Sequence, residues 1–400
     1  MREAQGSKAP LQRVADRYAV WFTPVTLAVC LAAYLVSNDW HRVLAVLAIA
    51  TPCPLILATP VAVLGGMNQS ARHHILIRNG GVLEALSRIT AVVLDKTGTL
   101  TLGRPKVARV TSIGSLDETE LLRLAAGVEQ YSGHLLGQTV VEEASLRDVP
   151  IPAATGVYED PGRGVSGTVE GKSVIVGARS LITDAILDAR SGIHAFDRRD
   201  RGESLRAYVA VDGRLAGIIE YADRIRPGMR AMVQRLSDAG VKHILLLSGD
   251  RDDNVREVAS ALGIGMARGD LLPQDKVDTI RELMGRGESV LMVGDGTNDA
   301  PALSAATVGV ALASHGRGIA TESAGAILLA DEPARIVDAI QISRRTMRIA
   351  RQSIFVGLGL SSAGMIAAAA GFIAPVTGAM IQEGIDLAVI LNALRASARS

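Results

Sequence analysis

Two cysteines, Cys30 and Cys53, are all the thiol chemistry that 400 residues contain. Both sit inside apolar runs, so a disulfide-stapled secreted scaffold is not indicated and a reducing, cytosolic setting fits better. An excess of one charge is also missing. The chain has 42 basic and 41 acidic residues, a formal net charge of +1, and that balance points to no nucleic-acid partner. The amino terminus, Met1-Arg2-Glu3-Ala4-Gln5-Gly6-Ser7-Lys8, lacks the basic, apolar, small-residue order of a cleaved signal peptide. The chain shows no internal repeat and no low-complexity tract.

What is abundant is apolar surface: 48% of residues are hydrophobic against 21% charged. That is richer than an ordinary soluble chain. The apolar runs come in two pairs. Ala19 to Ser37 and Val43 to Met67 are separated by Asn38-Asp39-Trp40-His41-Arg42, and Ile354 to Phe372 and Ile373 to Leu394 meet around Gly371 and Pro375. Each approaches or exceeds the roughly 20 residues that a bilayer span needs, and the runs hold little charge and much Gly and Ala. Four spanning helices are expected, with buried helices of a large soluble core as the alternative. The first span would double as the targeting signal.

Four spans place both termini and the middle of the chain on one side of the membrane. Arg2, Lys8, Arg13, Arg17, Arg78, Arg344, Arg345, Arg348, Arg351, Arg395 and Arg399 flank that side, which the positive-inside rule makes the cytoplasm. A multi-pass protein of the plasma (inner) membrane is expected, with membrane lipid around it.

Between residues 68 and 347 the pattern changes to short β-branched runs alternating with amphipathic stretches. Ile89 to Leu94, His243 to Leu247, Ser289 to Val293 and Thr307 to Leu312 read as buried parallel strands of a doubly wound α/β sheet, whose ligands gather at the strands' carboxyl ends. The sheet pattern is interrupted after Asp95 and resumes at Gly217-Ile218-Ile219. The intervening stretch has its own strand signals (Gly167 to Val176, Ser204 to Val211) and helix signals (Glu118 to Val128, Leu136 to Leu146), as an inserted domain would.

The chemistry is concentrated after the four strands. Asp95-Lys96-Thr97-Gly98-Thr99-Leu100-Thr101 follows the first, which places a carboxylate where it can attack phosphorus and form an acyl-phosphate. Ser248-Gly249-Asp250-Arg251, Lys276, and Gly294-Asp295-Gly296-Thr297-Asn298-Asp299 supply a hydroxyl, an ammonium and further carboxylates, the groups that hold transferring oxygens and Mg²⁺. Each string alone is an ordinary loop; the four in this order are specific.

Asp-Lys-Thr-Gly-Thr at 95 to 99, together with Gly-Asp-Gly-Thr-Asn-Asp-Ala-Pro-Ala-Leu at 294 to 303, closely resembles the P-type ATPases, whose phosphorylation domain is of the haloacid-dehalogenase type. The resemblance spans nearly the whole chain. It implies a phosphorylated Asp95, with Lys276 on the phosphoryl group and Asp95, the Thr97 carbonyl and Asp295 on Mg²⁺. Asn298 and Asp299 match the family's hinge and metal-site support. Ser248 and Asp250 stand where the family has Thr-Gly-Asp, and Asp223, in Asp223-Arg224-Ile225-Arg226-Pro227, matches a segment that reaches toward the nucleotide. The insert is expected to bind the adenosine of ATP.

Within the insert, Glu129, Ser132-Gly133-His134-Leu135 and Gly162-Arg163-Gly164-Val165-Ser166-Gly167 are similar to the early Glu, Ser-x-His-Pro and Gly-x-Gly elements of the heavy-metal members. Glu129, His134, Gly162 and Gly164 are therefore nucleotide-site candidates; a plain hairpin is the other reading of the glycines. The expected organisation is a cytoplasmic segment 1–17, a helix pair 18–67, phosphorylation domain 68–109 and 211–347, inserted α+β nucleotide-binding domain 110–210, and a second helix pair 348–400.

Thr51-Pro52-Cys53-Pro54 lies in the second run, where two prolines open the helix backbone and a thiol can bind a cation, or where a kinked helix merely buries a small thiol. It resembles the Cys-Pro-Cys or Ser-Pro-Cys of heavy-metal (class IB) P-type ATPases, and a single thiol points to a harder or borderline divalent ion. Gln382, Glu383 and Asp386 are the expected second half, with Glu383 and Asp386 as ligands on one helix face; Asn392 is a weaker candidate. Gly65-Gly66 resembles a double-glycine kink of the class. No Thr-Gly-Glu loop of an actuator domain is found, Gly202-Glu203-Ser204 being read as a decoy, so an amino-terminally truncated pump or one half of a split pump is expected. The competing functions are a membrane-anchored haloacid-dehalogenase-type phosphatase and a non-catalytic ion-binding subunit.

Overall fold

The computed structural model describes residues 10–51, 53–186, 205–295, 299–313 and 323–398, with side chains from Phe22 onward except at 53–55 and 104. The chain divides into two bodies: Met1–Asp95, Gly228–Gly249 and Ala259–Ser400 form one, Lys96–Pro227 and Asp250–Val258 the other.

The first body carries a seven-stranded sheet in the order Ile75–Ile77, Ala326–Leu328, Val308–Leu312, Val290–Gly294, Ala91–Asp95, His243–Leu247, Met266–Arg268. Only the first of these strands runs antiparallel to its neighbour. Ala-Val-Val-Leu-Asp, Val-Leu-Met-Val-Gly and Val-Gly-Val-Ala-Leu are buried at every position, as strands covered on both faces must be. Leu94 pairs with Val293 and Asp95 with Leu247, so Asp95, Asp295 and Ser248 emerge from one edge of three adjacent strands.

The same body holds the long helices Pro10–Ser37, Trp40–Ile49, Cys53–Arg72, Arg335–Ala369 and Pro375–Leu394. Small residues let them approach: a Cβ on Gly66 would collide with the Thr346 side chain, and Gly364 and Gly378 both abut Ile49. Their outward faces carry exposed Leu27, Leu31, Leu64, Phe355, Val356, Leu360, Phe372 and Leu387. An apolar belt of that extent is at odds with helices buried in a soluble core. Among the described residues, helix Arg335–Ala369 is long and apolar enough to cross a membrane; Phe22–Ser37 and Trp40–Ile49 are apolar but shorter. The second apolar run is two helices, because the chain leaves helical geometry at Ala50 (φ −78°, ψ 69°). Helix Cys53–Arg72 runs through Gly65 and Gly66, which give close approach to Ala396–Ser397 and Thr346.

The second body is a six-stranded antiparallel sheet, Thr101–Ser112, Arg214–Ile225, Leu205–Val211, Lys172–Gly177, Gly164–Val169 and Ala154–Asp160 in spatial order, with helices Glu118–Glu129 and Leu135–Leu146 packed on it. Asp117 caps the first helix by accepting from the Glu120 amide at 2.6 Å. Two sequence expectations are corrected here. Gly217-Ile218-Ile219 does not resume the parallel sheet but lies in strand Arg214–Ile225 of this antiparallel one, because a short apolar triplet is compatible with either pairing. The single strand expected from Gly167 to Val176 is a hairpin, turned by Glu170 (φ 49°) and Gly171 (φ 82°).

Candidate phosphoryl-transfer and ion sites

Asp95 ends its strand 5% exposed, and two other charged groups converge on it. Lys276 is presented by helix Pro273–Gly285, which starts with proline in its first turn and is braced by the Asp275 carboxylate accepting from the Leu272 amide at 2.8 Å. Its ammonium donates to Asp95 Oδ1 at 2.5 Å and to Asp299 Oδ1 at 2.8 Å. Asp299, 2% exposed, stands at the start of helix Ala300–Ala305.

Burial pushes the Asp95 carboxyl up to about 7, the Asp299 charge adds to it, Lys276 pulls the other way, and Asp295 adds a further upward push. Burial also raises Asp299, with Lys276 opposing and Asp295 adding. For Lys276, burial works against the charged form, but the two carboxylates outweigh it and raise the ammonium. Two carboxylates share one cation, with a third carboxylate, Asp295, close enough to be felt. The surplus negative charge and the all-oxygen donor set suit a hard divalent cation. Among the described residues no three His, Cys, Asp or Glu side chains are grouped so as to hold a metal ion; Mg²⁺ is commonly held by one or two carboxylates together with waters and substrate phosphate. Ser248 is buried, its amide bonded to the Arg268 carbonyl at 3.1 Å. Asn298 lies outside the described residues.

In the second body, Thr97 is extended (φ −77°, ψ 130°) and Gly98 left-handed (φ 71°), a reversal that favours glycine. Lys96 pairs with the Asp250 carboxylate. The turn is held by Arg226, a residue the sequence analysis passed over. Its buried guanidinium donates to the Thr101 carbonyl at 2.9 Å and the Gly98 carbonyl at 3.0 Å, and its backbone amide donates to the Leu100 carbonyl at 2.9 Å. Asp223 accepts from the Gly103 amide at 3.1 Å through Oδ2, while Oδ1 is buried without a hydrogen bond.

Glu129 ends helix Glu118–Glu129 and is 7% exposed. Burial pushes its carboxyl up to about 7, Glu159 adds to that, and the Ser132 hydroxyl opposes it. Gly137 makes room for it, since a Cβ there would lie 2.2 Å from Glu129 Oε2. Ser132 donates to Glu159 Oε1 at 2.7 Å, and exposed His134 caps the next helix, its Nδ1 accepting from the Leu136 amide at 3.2 Å. Among the described residues the buried Tyr221 hydroxyl has no hydrogen-bond partner, and its titration is pushed up by burial and then by the Glu129 charge. Glu159 and Tyr221 carry no signal in the sequence beyond strand alternation. The glycine run is a hairpin: Gly162 (φ 78°) turns the chain, and Gly164 faces Gly177, where a Cβ would lie 2.2 Å from the Val176 carbonyl.

Among the helices, Thr51 sits at the break with its hydroxyl buried and unbonded. Cys53 begins the next helix, and its side chain lies outside the described residues. The expected Glu383 and Asp386 pair is split. Glu383 is exposed, whereas Gln382 is 2% exposed and accepts from the Ser361 hydroxyl at 3.0 Å while donating to Asp386 Oδ1 at 2.8 Å. Packing turns the i, i+4 pair inward rather than the i, i+3 pair. Asn392 donates to the buried Ser353 hydroxyl at 2.8 Å. Gly202-Glu203-Ser204 lies outside the described residues.

Against known proteins, the chain is 37% identical to a copper-transporting P-type ATPase of Rhizobium leguminosarum bv. viciae, over 98% of this chain and 48% of the relative. It is 34% identical to a zinc-exporting P-type ATPase of Mycobacterium marinum, over 99% and 54%. The chain thus spans about half the length of the curated relatives it matches. A solved zinc-transporting PIB-type ATPase in the E2.Pi state superposes with a TM-score of 0.85 at 33% identity, covering 99% of this chain and 66% of that one. A CPx-ATPase catalytic domain, CopB-B, gives 0.55 at 29%, covering 69% and 98%. Residues 89–307 match the family model described as haloacid dehalogenase-like hydrolase, and on that match and the geometry around Asp95 the chain belongs to the haloacid dehalogenase-like hydrolases.

Proposed function

We propose that this chain is the phosphorylation, nucleotide-binding and transport-helix portion of a heavy-metal P-type ATPase, a multi-pass protein of the plasma membrane with its catalytic bodies in the cytoplasm. The observation that carries this reading is the buried Lys276 ammonium bridging Asp95 and Asp299 at the carboxyl ends of a parallel sheet.

In the reaction, an Asp95 carboxylate oxygen attacks the γ-phosphorus of ATP. The bond to the ADP oxygen breaks, the electron pair leaves with ADP, and an acyl-phosphate remains on Asp95. Lys276 neutralises charge on the transferring group and, through Asp299, stays fixed when Asp95 is consumed. Bound Mg²⁺, held by Asp95 and Asp295, would supply further charge neutralisation on the phosphoryl oxygens. The Thr97 carbonyl, which the resemblance also assigns to the ion, belongs to the other body. Thr97 stands where a phosphatase of this superfamily carries its general acid, so the intermediate persists instead of being hydrolysed at once. Glu129, Ser132 and His134 would receive the adenosine.

The relatives' printed metals, copper, silver, zinc and manganese, come at 32–37% identity, so overall likeness does not choose the ion. The side chains that would meet it are Cys53, Gln382 and Asp386, with Thr51 and Ser361. That is one sulfur against several oxygens, which favours a borderline divalent cation over copper(I). Acid-quenched labelling with γ-³²P-ATP in the presence of single metals tests the reading. A label that appears with a divalent metal and is absent from Asp95→Asn supports it; an undiminished label in that variant sinks it.

A further inference from the structure

Between the carboxyl end of helix Cys53–Arg72 and the first turns of helix Arg335–Ala369, wholly within the first body, lies a cavity of about 430 Å³. The long helix lines it with Gln341, Arg344, Arg345 and Arg348, the i, i+3, i+4, i+7 positions of one face. Gln69 and His73 line the other side.

These groups differ in what they have left to offer. The Arg344 guanidinium is committed to the backbone, donating to the carbonyls of Ser87 at 3.3 Å, Ile89 at 2.8 Å and Ala239. Arg345 uses one nitrogen on the Ala398 carbonyl at 3.2 Å. Arg348 is exposed and, among the described residues, makes no hydrogen bond or ion pair. The acid at the rim, Asp338, is occupied by Arg235 at 2.7 Å and faces Arg335 at 3.9 Å. Among the described residues the lining therefore has guanidinium donors to spare and no carboxylate that is not already paired. Gln69, 4% exposed, closes the opposite wall with its Nε2 3.3 Å from His73 Nε2.

Depth along the helix identifies the occupant. Arg348 lies six residues before Ile354, where the apolar run with exposed Phe355, Val356 and Leu360 begins, a rise of roughly 9 Å. That is the level of the polar headgroup layer on the arginine-rich side of the bilayer, where basic pockets between helices take anionic lipid. We infer that the cavity binds the headgroup of an anionic glycerophospholipid. The phosphodiester accepts from Arg345 and Arg348, and a headgroup such as that of phosphatidylglycerol carries no cation to oppose those guanidiniums. This rests on helix Arg335–Ala369 spanning the membrane. Through Arg344 the same wall holds the carbonyls of Ser87 and Ile89, the segment leading into the Asp95 strand.

The test uses the full chain, delipidated in neutral detergent and titrated with phosphatidylglycerol, phosphatidylcholine or inorganic phosphate, with bound lipid counted by native mass spectrometry. One saturable phosphatidylglycerol is expected, with phosphatidylcholine, whose choline cation would face the same guanidiniums, weaker by ~10-fold. Arg345→Ala with Arg348→Ala is expected to weaken phosphatidylglycerol by ~10-fold or more, and Arg348→Lys to retain most of it. Equal binding of the two lipids by the unaltered chain, or unchanged affinity in the double variant, overturns the proposal. Displacement of the lipid by equimolar inorganic phosphate overturns it in favour of a free anion. Asp95 labelling in the same samples reports separately: label without lipid sinks only the lipid site, and lipid without label only the pump reading.

Discussion

The site around Asp95 and the polar cluster among the long helices solve one problem, buried polar groups, in opposite ways. At Asp95, carboxylates keep company with a formal cation, Lys276, at hydrogen-bonding distance. Between the helices, the Asp386 carboxylate is met by a neutral amide, Gln382, itself bonded to a neutral hydroxyl, Ser361. A fixed ammonium makes the first site permanently structured and limits it to receiving a group that needs charge neutralised. Under the proposed function, a cation arriving there would meet oxygen donors, the Asp386 carboxylate among them, in place of a built-in ammonium. On the proposed function, that difference is the one between a site that transfers a phosphoryl group and a site that a metal ion traverses.

The largest effect that would break this comparison concerns Asp95. Asp95→Asn is expected to remove the acid-stable label entirely while nucleotide binding persists, as read by calorimetry. Lys276→Met comes next. It leaves Asp95 and Asp299 facing each other uncompensated, and labelling is expected to fall by ~10²-fold or more, in the range for a lost electrostatic stabiliser. Near-normal labelling in that variant would show that the ammonium is merely structural.

Sharpening the other half, Asp386→Asn is expected to raise the metal concentration for half-maximal labelling by ~10-fold or more, while Glu383→Gln changes it less than ~2-fold, because only the former side chain faces the bundle. The reverse order would put the ion on the face that the structure turns outward.

The smallest predicted effect lies in the insert and concerns pH. The Glu129 carboxyl is raised from 4.5 to about 7 by burial. Its contribution to stability is therefore fully present below pH 4.5 and is lost as pH rises toward 7, where the folded form must bury a charge. At pH 8, Glu129→Gln is expected to stabilise the insert, by at most about 3 kcal/mol, and to flatten this pH dependence. Hydrogen exchange of the amides in helices Glu118–Glu129 and Leu135–Leu146, measured on the full chain, checks it.

How much of this was readable beforehand follows the same division. Asp95 was legible because a buried parallel strand announces itself by unbroken apolar composition, and the residue at its end is located by counting to where that composition stops; Lys276, on a helix, and Asp299, at a helix start, were assigned their roles through the family resemblance. The sheet that Gly217-Ile218-Ile219 joins was not legible, since an apolar triplet carries no record of its partner. Nor was Arg226. Two arginines, Arg224 and Arg226, flank Ile225, and only the twist of the strand decides that the second turns inward onto the Gly98 and Thr101 carbonyls.

By itself, the sequence determined the apolar runs, the strand ends and the order of the phosphoryl-transfer groups, because these follow from composition and period along one dimension. Only the tertiary structure decided that Gln382 and not Glu383 faces Ser361, that the glycine run is a hairpin seated on Gly177, and that Gln69 and Arg348 line one cavity. Those outcomes depend on how each helix rotates and which strand lies alongside. That is settled by packing against residues hundreds of positions away, to which local pattern is blind.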